Sequence, residues 1–108
     1  MKILEKFLLS KKVIIITGGA GFLGEQFANV IAKAAGTPVL LDIKYSKARS
    51  ICKNIKKKLN IEAFAIKCDV SNESQVRKSL KKMKNKFKKK EIFGLINNAA
   101  FNPLPKKY

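Results

Sequence analysis

The residues of this chain best suited to chemistry lie in one glycine-rich turn, Thr17-Gly18-Gly19-Ala20-Gly21-Phe22-Leu23-Gly24, and in three short segments downstream of it. A turn of this composition between a strand and a helix gathers unpaired backbone N–H groups at the positive end of the helix dipole and so binds an anion. Diphosphate fits such a cradle. In that reading Gly18 takes the tight turn, Gly21 lets the backbone approach the pyrophosphate, and Gly24 lets helix and strand pack closely. Asp42 lies 18 residues beyond Gly24, at the end of an apolar run. A carboxylate there accepts hydrogen bonds from adenosine ribose hydroxyls and repels a 2′-phosphate. Turn and carboxylate together point to a dinucleotide cofactor, NAD in preference to NADP.

The elements that must hold these residues follow from hydrophobic periodicity. Val13-Ile14-Ile15-Ile16 has the β-branched composition of a strand buried on both faces of a parallel sheet, and it is expected at the centre. Phe22, Leu23, Phe27, Val30, Ile31 and Ala34 then recur at helical spacing up to Gly36, a natural stop before Thr37-Pro38. Val39 to Asp42 reads as a second strand, and Ser46 to Leu59 as a helix ended by Asn60. Ile61 to Lys67 reads as a third strand, leading into Cys68-Asp69-Val70. Ser71 or Asn72 caps a helix running to about Lys88, with Val76, Leu80, Met83 and Phe87 as its apolar face. Ile92 to Ile96 is a fourth strand, followed by Asn97-Asn98-Ala99-Ala100.

Right-handed crossovers turn this β-α-β-α-β-α-β order into a doubly wound parallel sheet ordered 3-2-1-4, an α/β fold of the Rossmann type in partial form. Ligands bind such sheets at the carboxyl ends of the strands where the order reverses. The glycine turn, Asp69-Val70 and Asn97-Asn98-Ala99 all fall there. The chain is expected to be a single domain over residues 1–108, with a lead-in segment at 1–11, read as a short helix packing on the body, and a loop tail at 101–108.

Composition removes several function classes. There is no histidine, and Cys52 and Cys68 form no CxxC pair, so a zinc site and Ser/His/Asp or Cys/His catalysis are excluded. Both cysteines read as reduced, half-buried thiols of a cytoplasmic protein. The apolar N-terminal residues are interrupted by Glu5 and Lys6 and are too few to span a bilayer. The formal net charge is +17, a field that attracts polyanions. Yet the basic residues between Arg77 and Lys90 surround an apolar stripe at helical spacing, which is the pattern of a solvated helix face. No aromatic stacking motif accompanies them, so nucleic acid is not the partner this reading favours. A basic module binding nucleic acid or an anionic surface stays open as the alternative of another class.

Taken in order, the segments Thr17 to Gly24, Asp42, Asp69-Val70 and Asn97-Asn98-Ala99-Ala100 resemble the short-chain dehydrogenase/reductase family over essentially the whole chain. The resemblance implies the NAD(P)-binding portion of an oxidoreductase. Thr17, Phe22 and Leu23 would then belong to the cofactor-binding turn. Asp69 would hydrogen-bond the adenine ring with Val70 against it, and Asn97 with Ala99, beside Asn98, would stabilise the central strand and border the adenosine ribose. Ala20 and Ile43 stand where NADP-preferring relatives tend to carry a basic residue, which again points to NAD. The TGxxGxxG spacing is similar to the extended branch of sugar-nucleotide epimerases and dehydratases, and Phe22 stands where the single-domain branch usually has glycine. The NNAA segment is similar to that single-domain branch. The mixture most resembles bacterial members tied to flagellin or surface-polysaccharide modification, and the extended branch stays open as an alternative.

The family's chemistry uses a serine, a tyrosine and a lysine four residues after the tyrosine, all placed beyond the fourth strand. No catalytic residue is assigned here, because Tyr45 is followed at that offset by Arg49 and sits on the adenosine side, and Tyr108 has no such lysine. The resemblance therefore implies an N-terminal part, inactive alone: a gene fragment, a split-gene product or an early-terminated frame. Its fourth strand would be an open apolar edge, able to pair with a complementary C-terminal chain or with itself.

Overall fold

The computed structural model describes residues 8–100; the expected loop tail and most of the expected lead-in segment lie outside them. Leu8 and Leu9, which are described, are not helical. Among the described residues, four strands alternate with three helices. The strands are β1 (Lys12–Thr17), β2 (Thr37–Asp42), β3 (Phe64–Lys67) and β4 (Glu91–Ile96), and the helices are α1 (Phe22–Lys33), α2 (Tyr45–Leu59) and α3 (Glu73–Lys86). All pairings are parallel and the order is β3-β2-β1-β4, as the sequence predicts.

β1 takes the centre because its side chains are apolar on both faces. Ile14 and Ile16 point to one side and pack with Leu40, α1 and α2, while Val13 points to the other and packs with Val39, Ile66, Met83 and Phe87. This is the two-residue period of a strand covered on both faces. Pro38, which cannot donate to a ladder, is tolerated inside β2 because pairing with β3 begins only at Val39.

α2 buries Ala48, Ile51, Cys52 and Ile55 at helical spacing, as the periodicity suggests, whereas α1 and α3 depart from it in part. α1 buries Gly24, Ala28, Ile31 and Ala32, whereas Phe22 and Val30 are 78% and 65% exposed. Small residues at i, i+4 and i+8 let the helix axis lie close to the sheet, and larger ones turn outward. The helix ends in a Schellman arrangement: Gly36 N–H donates to Ile31 O and Ala35 N–H to Ala32 O, at 2.9 Å each. The left-handed residue of this stop is Ala35, at φ 67°, and not Gly36 as expected.

β3 begins at Phe64 and not at Ile61, because Asn60 closes α2 in the left-handed conformation at φ 53°. Ile61 and Ala63 still pack on the core without pairing. α3 is capped by Asn72, whose side chain accepts from Gln75 N–H at 3.1 Å. It buries Ser79, Met83 and Phe87, while Val76 and Leu80 stay exposed. The last turns of α3 therefore carry its packing, with Met83 and Phe87 against Val13, Val39, Leu41 and Ile66. Cys52 and Cys68 are both buried and free, deeper than expected. Among the described residues no helix is long and apolar enough to cross a membrane.

Candidate functional site

Each strand delivers its last residue to the same end of the sheet. Thr17 closes β1, Asp42 closes β2, Cys68-Asp69 follow β3, and Asn97 to Ala99 follow β4. The order reverses between β1 and β4, so the crevice of a doubly wound sheet opens here.

The glycine turn is held against β2 and β4 by backbone contacts that admit no side chain. Gly18 is left-handed at φ 64°, and a Cβ on it would stand 2.9 Å from the Ala99 Cα. Its N–H donates to Leu41 O at 2.8 Å, and Gly21 N–H donates back to Gly18 O at 3.1 Å. A Cβ on Gly24 would meet Gly18 O at 2.5 Å and Gly19 Cα at 2.7 Å, so the helix can lie on the turn only without one. Gly19, to which the sequence reading gives no role, is packed as tightly, 2.6 Å from the Leu40 side chain. Gly21 differs: a Cβ there would meet only Gly18 O, at 3.4 Å. The space beyond Gly21 is open.

Gly21 is the N-cap of α1 and brings no side chain to cap it. The first-turn amides of a helix have no partner within it, so those of α1 face the open space with the dipole behind them. Such a cradle can hold an anion.

Asp42 closes one side of it. Its Oδ2 accepts from Ala20 N–H at 2.9 Å and its Oδ1 from Lys44 N–H at 2.8 Å. The carboxylate thus fixes the middle of the glycine turn, and each oxygen keeps a lone pair for a hydroxyl donor. Ile43 and Val70 are both exposed beside this end of the sheet. Asp69 is exposed. Its Oδ1 accepts from the Ser71 hydroxyl at 2.7 Å and from Ser71 N–H at 3.0 Å, which together hold its carboxyl below the usual range. Its own N–H donates to Gln75 Oε1 at 2.8 Å.

On the β4 side the structure uses Asn98 and Thr17, not Asn97, to tie strand to turn. The Thr17 hydroxyl accepts from Asn98 N–H and Ala99 N–H at 3.0 Å each and donates to Ile96 O at 3.4 Å. The Asn98 side chain donates to Gly18 O at 3.1 Å. Asn97 is exposed and stands outside this clamp. Thr17 is therefore a buried positioning residue in a turn whose glycines draw the attention in the sequence. Tyr45 lies elsewhere, in a hollow with Lys44, Lys47 and Lys67.

The family described as short chain dehydrogenase matches residues 12–107. Borneol dehydrogenase of Lavandula x intermedia, a mitochondrial protein, is 30% identical over 98 residues, covering 91% of this chain and 35% of that protein. Among solved structures, hydroxysteroid dehydrogenase from Escherichia coli superposes with a TM-score of 0.82 at 29% identity, covering 90% of this chain and 40% of that one. NAD+-bound xylitol dehydrogenase does so at 0.78 and 28%, covering 86% and 35%. The chain spans about a third of the length of the curated relatives it matches.

Proposed function

From the premise that this chain belongs to the short-chain dehydrogenase family and carries its nicotinamide-dinucleotide-binding region, we propose that its site takes NAD in preference to NADP. The observation that carries this is Asp42, a carboxylate anchored by two backbone N–H groups at the edge of the glycine cradle. Anchored so, it accepts from ribose hydroxyls and meets a 2′-phosphate with like charge. Neither Ala20 nor Ile43 offers a compensating cation.

In this reading the α1 amides with Gly18, Gly21 and Gly24 hold the diphosphate, and Phe22 and Leu23 border it. Asp69 and Val70 meet the adenine, and Asn97 and Ala99 border its ribose. Asn98 and Thr17 act through the Gly18 backbone. The bound nicotinamide supplies hydride transfer to or from a carbonyl or alcohol carbon. Tyr45 has Arg49 at the lysine's offset, so this reading assigns no proton-transfer residue within residues 1–108. Residues 1–108 form one cofactor-binding unit, working in the cytoplasm as part of an oxidoreductase. Among the described residues β4 pairs only with β1 and leaves Phe93 and Leu95 more than half exposed, so a further chain segment or a second copy covers that edge.

Isothermal calorimetry with NAD and NADP on the wild-type chain and Asp42→Asn tests the reading. The substitution keeps an acceptor for one of the backbone N–H groups but removes the charge. NAD affinity is expected to fall about 10- to 100-fold, the range of hydrogen bonds to charged groups, and the NAD/NADP ratio to narrow. Equal or tighter NADP binding by the wild type would overturn the preference.

A further inference from the structure

We infer that the chain binds single-stranded nucleic acid along a basic trough that starts beside the Asp42 rim of the dinucleotide cradle and runs along the outer edge of β3. Two hollows meet there. One, of about 490 Å³, is lined by Ile43, Lys44, Tyr45, Ser46, Lys47 and Lys67. The other, of about 350 Å³, is lined by Ile66, Lys67, Gln75, Lys78, Ser79 and Lys82. Lys67 lines both, so the two hollows flank the end of β3, an edge strand of the described sheet. Residues 75, 78, 79 and 82 recur at i, i+3, i+4 and i+7, one face of α3.

The folded chain thus does what the linear charge pattern does not reveal. It gathers five lysines, Lys44 at the cap of α2, Lys47 in α2, Lys67 in β3, and Lys78 and Lys82 in α3, with no acidic residue in either lining. None of the five makes an ion pair among the described residues. The nearest carboxylates in sequence are already engaged: Asp42 with two backbone N–H groups, Asp69 with Ser71, and Glu73 with Arg77.

A row of cations suits any polyanion; Tyr45 narrows the ligand. It stands exposed among Lys44, Lys47 and Lys67, and an aromatic ring beside a cationic groove is how bases are stacked while phosphates are neutralised. Both hollows are open to solvent, so a flexible strand can follow them.

Fluorescence anisotropy with an oligouridylate of about ten nucleotides tests this. Five neutralised phosphates give a log–log salt slope of about −3.5, so affinity is expected to fall roughly 100-fold between about 50 and about 200 mM salt. Lys67→Gln/Lys78→Gln/Lys82→Gln should cut the slope by about 2. Lys53→Gln/Lys57→Gln/Lys58→Gln, an equal change of charge on the exposed side of α2, should leave it nearly unchanged. Tyr45→Ala should weaken binding at least about fivefold, and Tyr45→Phe should not. Equal losses from both triple variants would reduce the effect to diffuse charge and overturn the trough. Tyr45→Ala binding as wild type, with heparin competing as well as RNA, would overturn the nucleic-acid assignment, as would no binding at the lower salt.

Discussion

Replacing Thr17 by valine removes the clamp between β1 and β4 while keeping the shape of a side chain that is only 8% exposed. Three hydrogen bonds are at stake. The Asn98 N–H retains a partner, because it also donates to Ile96 O at 3.0 Å, and the long Thr17–Ile96 contact at 3.4 Å contributes little. Ala99 N–H loses its acceptor and faces a methyl group. A lost neutral bond costs about 0.5–1.5 kcal/mol and a stranded donor about 1–3 kcal/mol. Water reaches this rim, so the expected loss is about 2 kcal/mol. In a domain of this size that lowers the melting temperature by roughly 10 °C and the urea midpoint by about 1 M. Thr17→Ser keeps the hydroxyl and loses one methyl, about 0.8 kcal/mol, so it should unfold at a clearly higher urea concentration than the valine variant. Circular dichroism through urea and heat is the assay. A valine variant within about 0.5 kcal/mol of wild type, or a serine variant as unstable as the valine one, would refute the argument.

Ala35→Gly should stabilise the chain by about 1 kcal/mol, since alanine occupies the left-handed stop of α1 at φ 67°; a urea midpoint at or below wild type would count against it. Gly24→Ala places a Cβ against the backbone of Gly18 and Gly19 and should cost about 1–3 kcal/mol, while also weakening NAD binding by calorimetry because α1 can no longer seat its amides at the turn. Burial pushes the Cys52 thiol from 9.0 up to about 11. Its contribution to stability is therefore full below pH 9 and fades between about 9 and 11, as the unfolded thiol ionises and the folded one does not. The wild-type urea midpoint should fall more steeply across that window than that of Cys52→Ala, which shares every other titration; parallel slopes would remove the effect.

The parts legible in the sequence were those written in local pattern. The β-branched run at residues 13–16, the four strands and the glycine turn before a helix were enough for the sheet order. Helix faces were less legible. In α1 the packed stripe is glycine and alanine, which carry almost no hydropathy signal, and the conspicuous Phe22 and Val30 face outward. In α3 the pattern marked Val76 and Leu80 as core, but both are exposed while Ser79, which carries no hydropathy signal, is buried between them. The left-handed stop at Ala35 was hidden by the glycine next to it. In the candidate site, Asp42 could be found from spacing alone. The Thr17–Asn98 clamp joins residues 81 apart, and no local rule distinguishes Asn98 from Asn97 before the register of β4 is known.

The central position of β1 also sets an order of assembly. On one side Thr17 pairs with Leu41, 24 residues away; on the other its hydroxyl reaches Ile96, 79 residues away. Closing the longer loop costs about 1 kcal/mol more chain entropy than closing the shorter, and during synthesis β4 emerges after the other three strands. The β1–β2–β3 layer can therefore form first, with the glycine turn already leaning on Leu41 and Asp42. Only when β4 docks do Asn98 and Ala99 arrive to lock Gly18. The ability to hold a ligand is then a late checkpoint of folding: a nascent or nicked chain without β4 would carry the whole glycine fingerprint and still present an unfinished cradle.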